Sequence, residues 1–201
     1  MIRDCAVIAV EGSQAAGKTT LALALTAHYR EAGVHVAVSG EPARVSPFME
    51  EAVLYGGRFD AVAELDAFAA HLMTAARTAR HHRLLIADRT PASVIAYSRH
   101  LLDLEDPLNG QLIHAMEATC RAWMPNAYDA VVYCRDRYNQ RSGGDRYREK
   151  VLDLQGKLDR TIYEVCAGSG VKLIELPTEL DTASRVRWIA ECVTDMGLLL
   201  S

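Results

Sequence analysis

The chain has 201 residues, 50 % of them hydrophobic, and a formal net charge of −4. This suits one α/β domain over residues 1–201 with a sizeable core, and the acidic balance points away from a nucleic-acid partner. No apolar run is long enough to cross a membrane, and Met1-Ile2-Arg3-Asp4 leads into a strand rather than a signal peptide. The five cysteines are scattered without a Cys-x-x-Cys pair, so a reducing, cytoplasmic setting is expected.

In chain order, Cys5 to Val10 is an apolar run of the kind found in buried parallel strands. Thr20 to Ala27 is rich in helix formers. Gly33 reads as the helix cap, and Val34 to Ser39 as the second strand, broken by Gly40-Glu41-Pro42. Ser46-Pro47 starts a short helix closed by Gly56-Gly57. A long helix is expected from Ala61 to His82. Val62, Leu65, Ala69, Leu72, Met73 and Ala76 recur at helical spacing and are read as its core face.

Leu84 to Asp88 is an apolar run ending in an acid, the third strand. Thr90 is a candidate cap for a helix over Ala92 to His100. Pro107 opens another helix, ended by Pro125-Asn126, and Ala130 to Cys134 is the fourth strand. Arg135 to Arg148 is basic and contains Gly143-Gly144, which suggests a lid over residues 135–148. A helix from Tyr147 to Ala167, a fifth strand from Val171 to Leu176, and a last helix from Ala183 to Met196 with Thr182 as cap complete the chain. Alternating strands and helices give a five-stranded parallel sheet with helices on both faces, and ligands of such sheets sit beyond the carboxyl ends of the strands.

Between the first strand and first helix stands Gly12-Ser13-Gln14-Ala15-Ala16-Gly17-Lys18-Thr19-Thr20, which carries the phosphate-binding pattern G-x-x-x-x-G-K-T. Glycines let the backbone approach a polyphosphate, and N–H groups at the helix start point at it. Lys18 can reach the β- and γ-phosphates of ATP, and the Thr19 hydroxyl can bind Mg²⁺. The strand-end rule groups further residues with this loop. Asp88 can hold Mg²⁺, approach the acceptor or cap the next helix, and Arg89 can clamp a phosphate. Glu41 can take a proton from an acceptor hydroxyl, order the cleft, or remain a solvated loop acid. Arg44 is a candidate for an acceptor phosphate or for a surface role. Arg137, Arg141 and Arg146 are the lid arginines chosen to face phosphate, Arg137 on the nucleotide and the other two on the transferring group.

The order Val10-Glu11-Gly12, Gly17-Lys18-Thr19-Thr20, Gly40-Glu41-Pro42, Phe68-Ala69-Ala70, Asp88-Arg89, Ala96-Tyr97 and Asp145-Arg146 resembles thymidylate kinases and the wider P-loop nucleoside and nucleotide kinases. The resemblance implies a P-loop kinase fold with an arginine-rich lid, Mg-ATP dependence, a small-molecule phosphoryl acceptor and often a homodimer. It places Phe68, which by its position alone reads as core packing, on the acceptor base, Tyr97 in the acceptor site, Arg89 near phosphates and Asp88 at the acceptor sugar or the metal. His71-Leu72 stand where that family has Asp-Arg, Thr90 where it often has Tyr, Ser98 where it has Gln, and Gln14 where it has a charged residue. A thymidylate-like nucleoside monophosphate is the first candidate acceptor. A nucleoside or other small alcohol, with Glu41 or Asp88 as base, is the alternative. A non-catalytic nucleotide-binding module or switch is a third reading, although the guanine-reading Asn-Lys-x-Asp segment of GTPases is missing.

Overall fold

Five parallel strands stand side by side in the order β2-β3-β1-β4-β5. They are β1 (Ala6–Glu11), β2 (Val36–Ser39), β3 (Leu84–Asp88), β4 (Ala130–Tyr133) and β5 (Leu173–Glu175). The structure, a computed structural model, describes residues 4–12, 14–54, 59–136 and 154–199. The Gly56-Gly57 turn and residues 147–153 of the expected sixth helix lie outside them. Seven helices appear among the described residues: α1 (Lys18–Glu31), α2 (Pro47–Leu54), α3 (Ala61–Ala79), α4 (Pro91–Leu101), α5 (Pro107–Ala127), α6 (Gln155–Gly168) and α7 (Thr182–Asp195). A short 3-10 turn covers Pro42–Val45.

The strands are mostly apolar because the sheet is covered on both faces, and Glu11, Ser39, Asp88 and Glu175 stand at their carboxyl ends. Side chains alternate between the faces. Ile8, Val10, Leu84, Ile86 and Val132 pack with Leu21 and Leu25 of α1 and with Val186 and Ile189 of α7. Val7, Ala9, Leu85, Ala87 and Val131 pack with residues of α3, α4, α5 and α6. The register sets Val10 opposite Asp88 and Glu11 opposite Tyr133, so the ends of the three central strands lie level.

Several expectations shift. The helix of α5 runs through Pro125 to Ala127 instead of stopping there. Proline cannot donate to the carbonyl four residues back, but this one sits in the last turn, where Asn126 Nδ2 donates to the Ala122 carbonyl at 2.9 Å. Met124, Ala127 and Tyr128 are buried there and hold that turn against the core. The cap of α7 is Asp181, whose Oδ1 accepts from the Ser184 amide at 2.7 Å, so Thr182 becomes the first helical residue. Thr90 does cap α4, accepting from the Ala92 amide.

The long helix α3 buries a different face from the one expected. Val62, Leu65 and Met73 are exposed, whereas Ala63, Glu64, Ala67, Phe68, His71, Ala75 and Ala79 are buried. The apolar stripe and the buried stripe differ because two polar residues, Glu64 and His71, occupy the inward positions. No helix among the described residues is long and apolar enough to cross a membrane.

Candidate active site at the strand ends

The turn after β1 is built for a close approach to phosphate. Gly12 has φ 140°, Ala15 φ 62° and Gly17 φ 76°, a succession of unusual backbone conformations that turns the chain from strand to helix. A Cβ on Gly12 would lie 2.4 Å from the Cys134 carbonyl oxygen, so only glycine lets β1 and the end of β4 stay this close. Gly17 caps α1 without any side chain bonded to the first-turn amides. Those amides are the groups that bind an anion at a helix start.

Three distant segments brace this loop. Gln155 of α6 donates to the Gln14 carbonyl at 2.7 Å, and Gln14 donates to the Tyr97 hydroxyl at 3.2 Å. Arg185 of α7, fully buried, donates to the Ala16 carbonyl at 3.3 Å and to Leu180 at 2.9 Å. It also pairs with Asp136, just after β4. Nothing in the pattern of the sequence singles out Arg185. Its only signal is a charged residue at a position of α7 that faces inward with Val186 and Ile189.

Lys18 is buried in the same place. Burial lowers its pKa, Arg89 lowers it further, and Glu11, Glu41 and Asp88 oppose them; the balance stands at about 8. The Thr19 hydroxyl donates to Asp88 Oδ2 at 2.6 Å, and Asp88 Oδ1 is buried with no hydrogen-bond partner among the described residues. A threonine hydroxyl beside a carboxylate oxygen with spare acceptor capacity is an oxygen donor set that fits Mg²⁺.

Arg89 follows β3 with φ 78°, a left-handed conformation that a non-glycine residue holds only when its surroundings fix it. They do so here. Its amide donates to the Val10 carbonyl at 3.0 Å, its Nη1 donates to Ser93 at 3.2 Å, and its Nε lies 2.6 Å from Glu41 Oε1 as an ion pair. Burial alone would lower the Arg89 pKa, but Glu41, Tyr97, Glu11 and Asp88 together outweigh it and keep the guanidinium charged. Arg44 Nε donates to the other oxygen, Glu41 Oε2, at 2.7 Å. Burial alone would raise the Glu41 carboxyl; the neighbouring Arg89 and Arg44 reverse that and bring it down to about 2.

A cavity opens beside these groups. Its walls include Lys18, Thr19, Glu41, Arg89 and Tyr97, together with Met49, Phe59, Glu64 and Val94. Phe68 does not line it. It is 4 % exposed and packed in the core, and the aromatic side chains on the cavity are Phe59 and Tyr97. His71 lines the cavity and Leu72, its neighbour, packs on the core. Burial lowers the His71 pKa to about 4, against the pull of Glu41, so the imidazole is neutral.

The structure therefore brings together Gly12, Gln14, Ala15, Ala16, Gly17, Lys18, Thr19, Thr20, Glu41, Arg44, Asp88, Arg89 and Tyr97. Ser13, Arg137, Arg141, Arg146 and the rest of the expected lid from residue 137 onward lie outside the described residues. Of that segment, Arg135 is described. It bonds Glu175 at 2.7 Å and stacks 4.5 Å from the Tyr163 ring, at the β5 edge of the sheet.

A family model described as an AAA domain matches residues 7–185. Among solved structures, the deoxyadenosine kinase of M. mycoides with products dcmp and a flexible dcdp bound is similar at TM-score 0.67 and 17 % identity, over 94 % of this chain and 99 % of that chain. The same enzyme with bound dATP gives a TM-score of 0.66 at 17 % identity, over 94 % and 99 %. The NadR protein in complex with NR gives 0.73 at 19 % identity, over 94 % of this chain and 52 % of that one, so this chain spans about half the NadR chain. No curated protein sequence matches. At such identities the likeness speaks for the fold, which is that of these P-loop kinases.

Proposed function

The chain belongs to the AAA domain family, and from that premise we propose that it transfers the terminal phosphoryl group of ATP to a hydroxyl group of a nucleoside. The observation that carries this reading is the state of Glu41. A phosphorylated acceptor needs arginines to clamp its phosphate. The two candidates, Arg89 and Arg44, each set their Nε against the Glu41 carboxylate. What they present to the cavity is an ionised acid held in place, which is what an acceptor hydroxyl needs. In the sequence, residues for either acceptor are present, and the resemblance to thymidylate kinases favours a nucleoside monophosphate.

In this reading Lys18 and the amides of the phosphate loop neutralise charge on the transferring group. Thr19 and Asp88 would hold Mg²⁺, which supplies further neutralisation on the phosphate oxygens when bound. Glu41 accepts the hydrogen bond of the attacking hydroxyl and orients it. A carboxylate with so low a pKa is a weak base. Its contribution is therefore placement of the hydroxyl in line with the γ-phosphate; as the oxygen–phosphorus bond forms and the bond to the ADP oxygen breaks, the hydroxyl proton leaves late, to an oxygen of the transferred phosphoryl group, which a loose transition state allows. The fold shared with the M. mycoides deoxyadenosine kinase supports a nucleoside as the hydroxyl carrier.

The test is an acceptor screen under Mg-ATP with nucleosides, nucleoside monophosphates and simple alcohols. ADP release stimulated by nucleosides, and lost in Glu41→Gln, is the expected result. Transfer confined to monophosphates would overturn the assignment.

A further inference from the structure

We propose, resting on the nucleoside-kinase reading, that Glu64 selects the acceptor's head group and takes a planar heterocycle presenting an amino N–H rather than a carbonyl oxygen. Glu64 is fully buried on α3 and lines the cavity. Its Oε2 accepts from Ser98 of α4 at 3.0 Å, and its Oε1 has no hydrogen-bond partner among the described residues. A buried carboxylate oxygen left without a donor is costly, and a ligand that supplies one recovers that cost.

Position along the helix says which part of the ligand meets it. Glu64 and His71 stand seven residues apart on one face, with the small Ala67 between them, so they are about 10 Å apart along α3. His71 is at the reacting end, since the charges acting on it are Glu41 and Arg89. Glu64 is at the far end, where the neighbouring charge is Asp60. A sugar beside Glu41 and His71 therefore extends its ring towards Glu64. Met49, Phe59 and Val94 give that ring apolar walls.

The chemistry of the open oxygen sets the preference. An amino group on the ring donates to Oε1. Above about pH 7, where Glu64 is ionised, a carbonyl at the same place puts two acceptors against each other, and a site built to bond a missing group discriminates strongly. Burial raises the Glu64 carboxyl to about 7, with Ser98 lowering it and Asp60 raising it, so an incoming N–H draws it to its ionised form.

The experiment compares matched amino and oxo acceptors, cytidine against uridine and adenosine against inosine, by kcat/KM in the wild type and in Glu64→Gln, above the pKa of about 7 where Glu64 is ionised. Calorimetric binding of the same nucleosides is run in parallel with a non-hydrolysable ATP analogue present. The expected wild-type preference for the amino member is about 10- to 100-fold. Glutamine keeps the shape but can turn an N–H towards a carbonyl, so the ratio should fall towards one or invert. A ratio unchanged in Glu64→Gln, or a wild-type preference for the oxo member, overturns the proposal while leaving the kinase reading intact. Amino-selective binding without transfer upholds it and removes the transfer reading. Absence of both binding and transfer removes both.

Discussion

Glu11 and Thr90 are joined twice: the Thr90 amide and the Thr90 hydroxyl each donate to Glu11 Oε2 at 2.8 Å. The other oxygen accepts from the Gly12 amide at 3.0 Å and from the Ser93 hydroxyl at 2.8 Å. One fully buried carboxylate thus fastens the end of β1 to the start of α4. The segment between them, Asp88-Arg89-Thr90, is held in a conformation that Arg89 alone would not choose. Phosphate loop and acceptor loop are thereby tied through one buried carboxylate.

Replacing Glu11 by Gln sets an NH₂ group against donors that already point inward. Unfolding by urea should show a loss of about 1–3 kcal/mol, and kcat should fall because Arg89 and Glu41 drift together. A variant as stable and as active as the wild type would show that the anchor is dispensable.

Much of this site was open to sequence reasoning, and the remainder was hidden for one physical reason. The loop from Gly12 to Thr19, the strand Leu84–Asp88 and the grouping of Glu41 with Asp88 and Arg89 follow from local pattern and the strand-end rule. Glu11, Ser93, Glu64, His71 and Arg185 did not, because each is a polar side chain buried among apolar ones by partners far away in sequence. Periodicity counts apolar residues, so on α3 it chose Val62, Leu65 and Met73, which the fold leaves exposed. The spacing of Glu64, Ala67 and His71, three and then four apart, was the available signal of a polar inward face.

Gly12→Ala tests how tightly the strand ends are packed. Its φ of 140° and the 2.4 Å approach to the Cys134 carbonyl leave no room for a methyl group. Backbone must move, and the thermal midpoint should drop in keeping with a cost of about 1–3 kcal/mol, with ATP binding weakened as the loop is displaced. An alanine variant that melts with the wild type and binds ATP normally would contradict that geometry.

Glu64 leaves a trace in stability. Its folded pKa, about 7, lies above the ordinary 4.5, so the folded state binds the proton more tightly. The favourable contribution is complete below about pH 4.5 and is lost as pH rises through 7. Glu64→Gln has no proton to lose. It should match the wild type near pH 4 and exceed it by on the order of 2–3 kcal/mol near pH 8, read from urea midpoints at both pH values. Parallel curves for the two proteins would show that Glu64 is not perturbed by burial.

Lys18 links nucleotide binding to protons. Its pKa in the free protein, about 8 against the ordinary 10.5, follows from burial and from Arg89, partly offset by Glu11, Glu41 and Asp88. The sign of the stability effect is opposite to that of Glu64. Between about 8 and 10.5 the unfolded chain binds more protons, so stability without nucleotide rises with pH across that window. A triphosphate brings negative charge to the ammonium and favours its charged form. ATP affinity should therefore weaken as pH rises through about 8, and binding above that pH should take up a proton. Calorimetry in buffers of different ionisation enthalpy measures the uptake directly. Lys18→Met should abolish both the uptake and the pH slope, and lower transfer on the order of 10³-fold while the protein stays folded. Affinity that stays flat from about pH 7 to about pH 9.5, with no buffer dependence, would mean that Lys18 enters the binding reaction already fully charged.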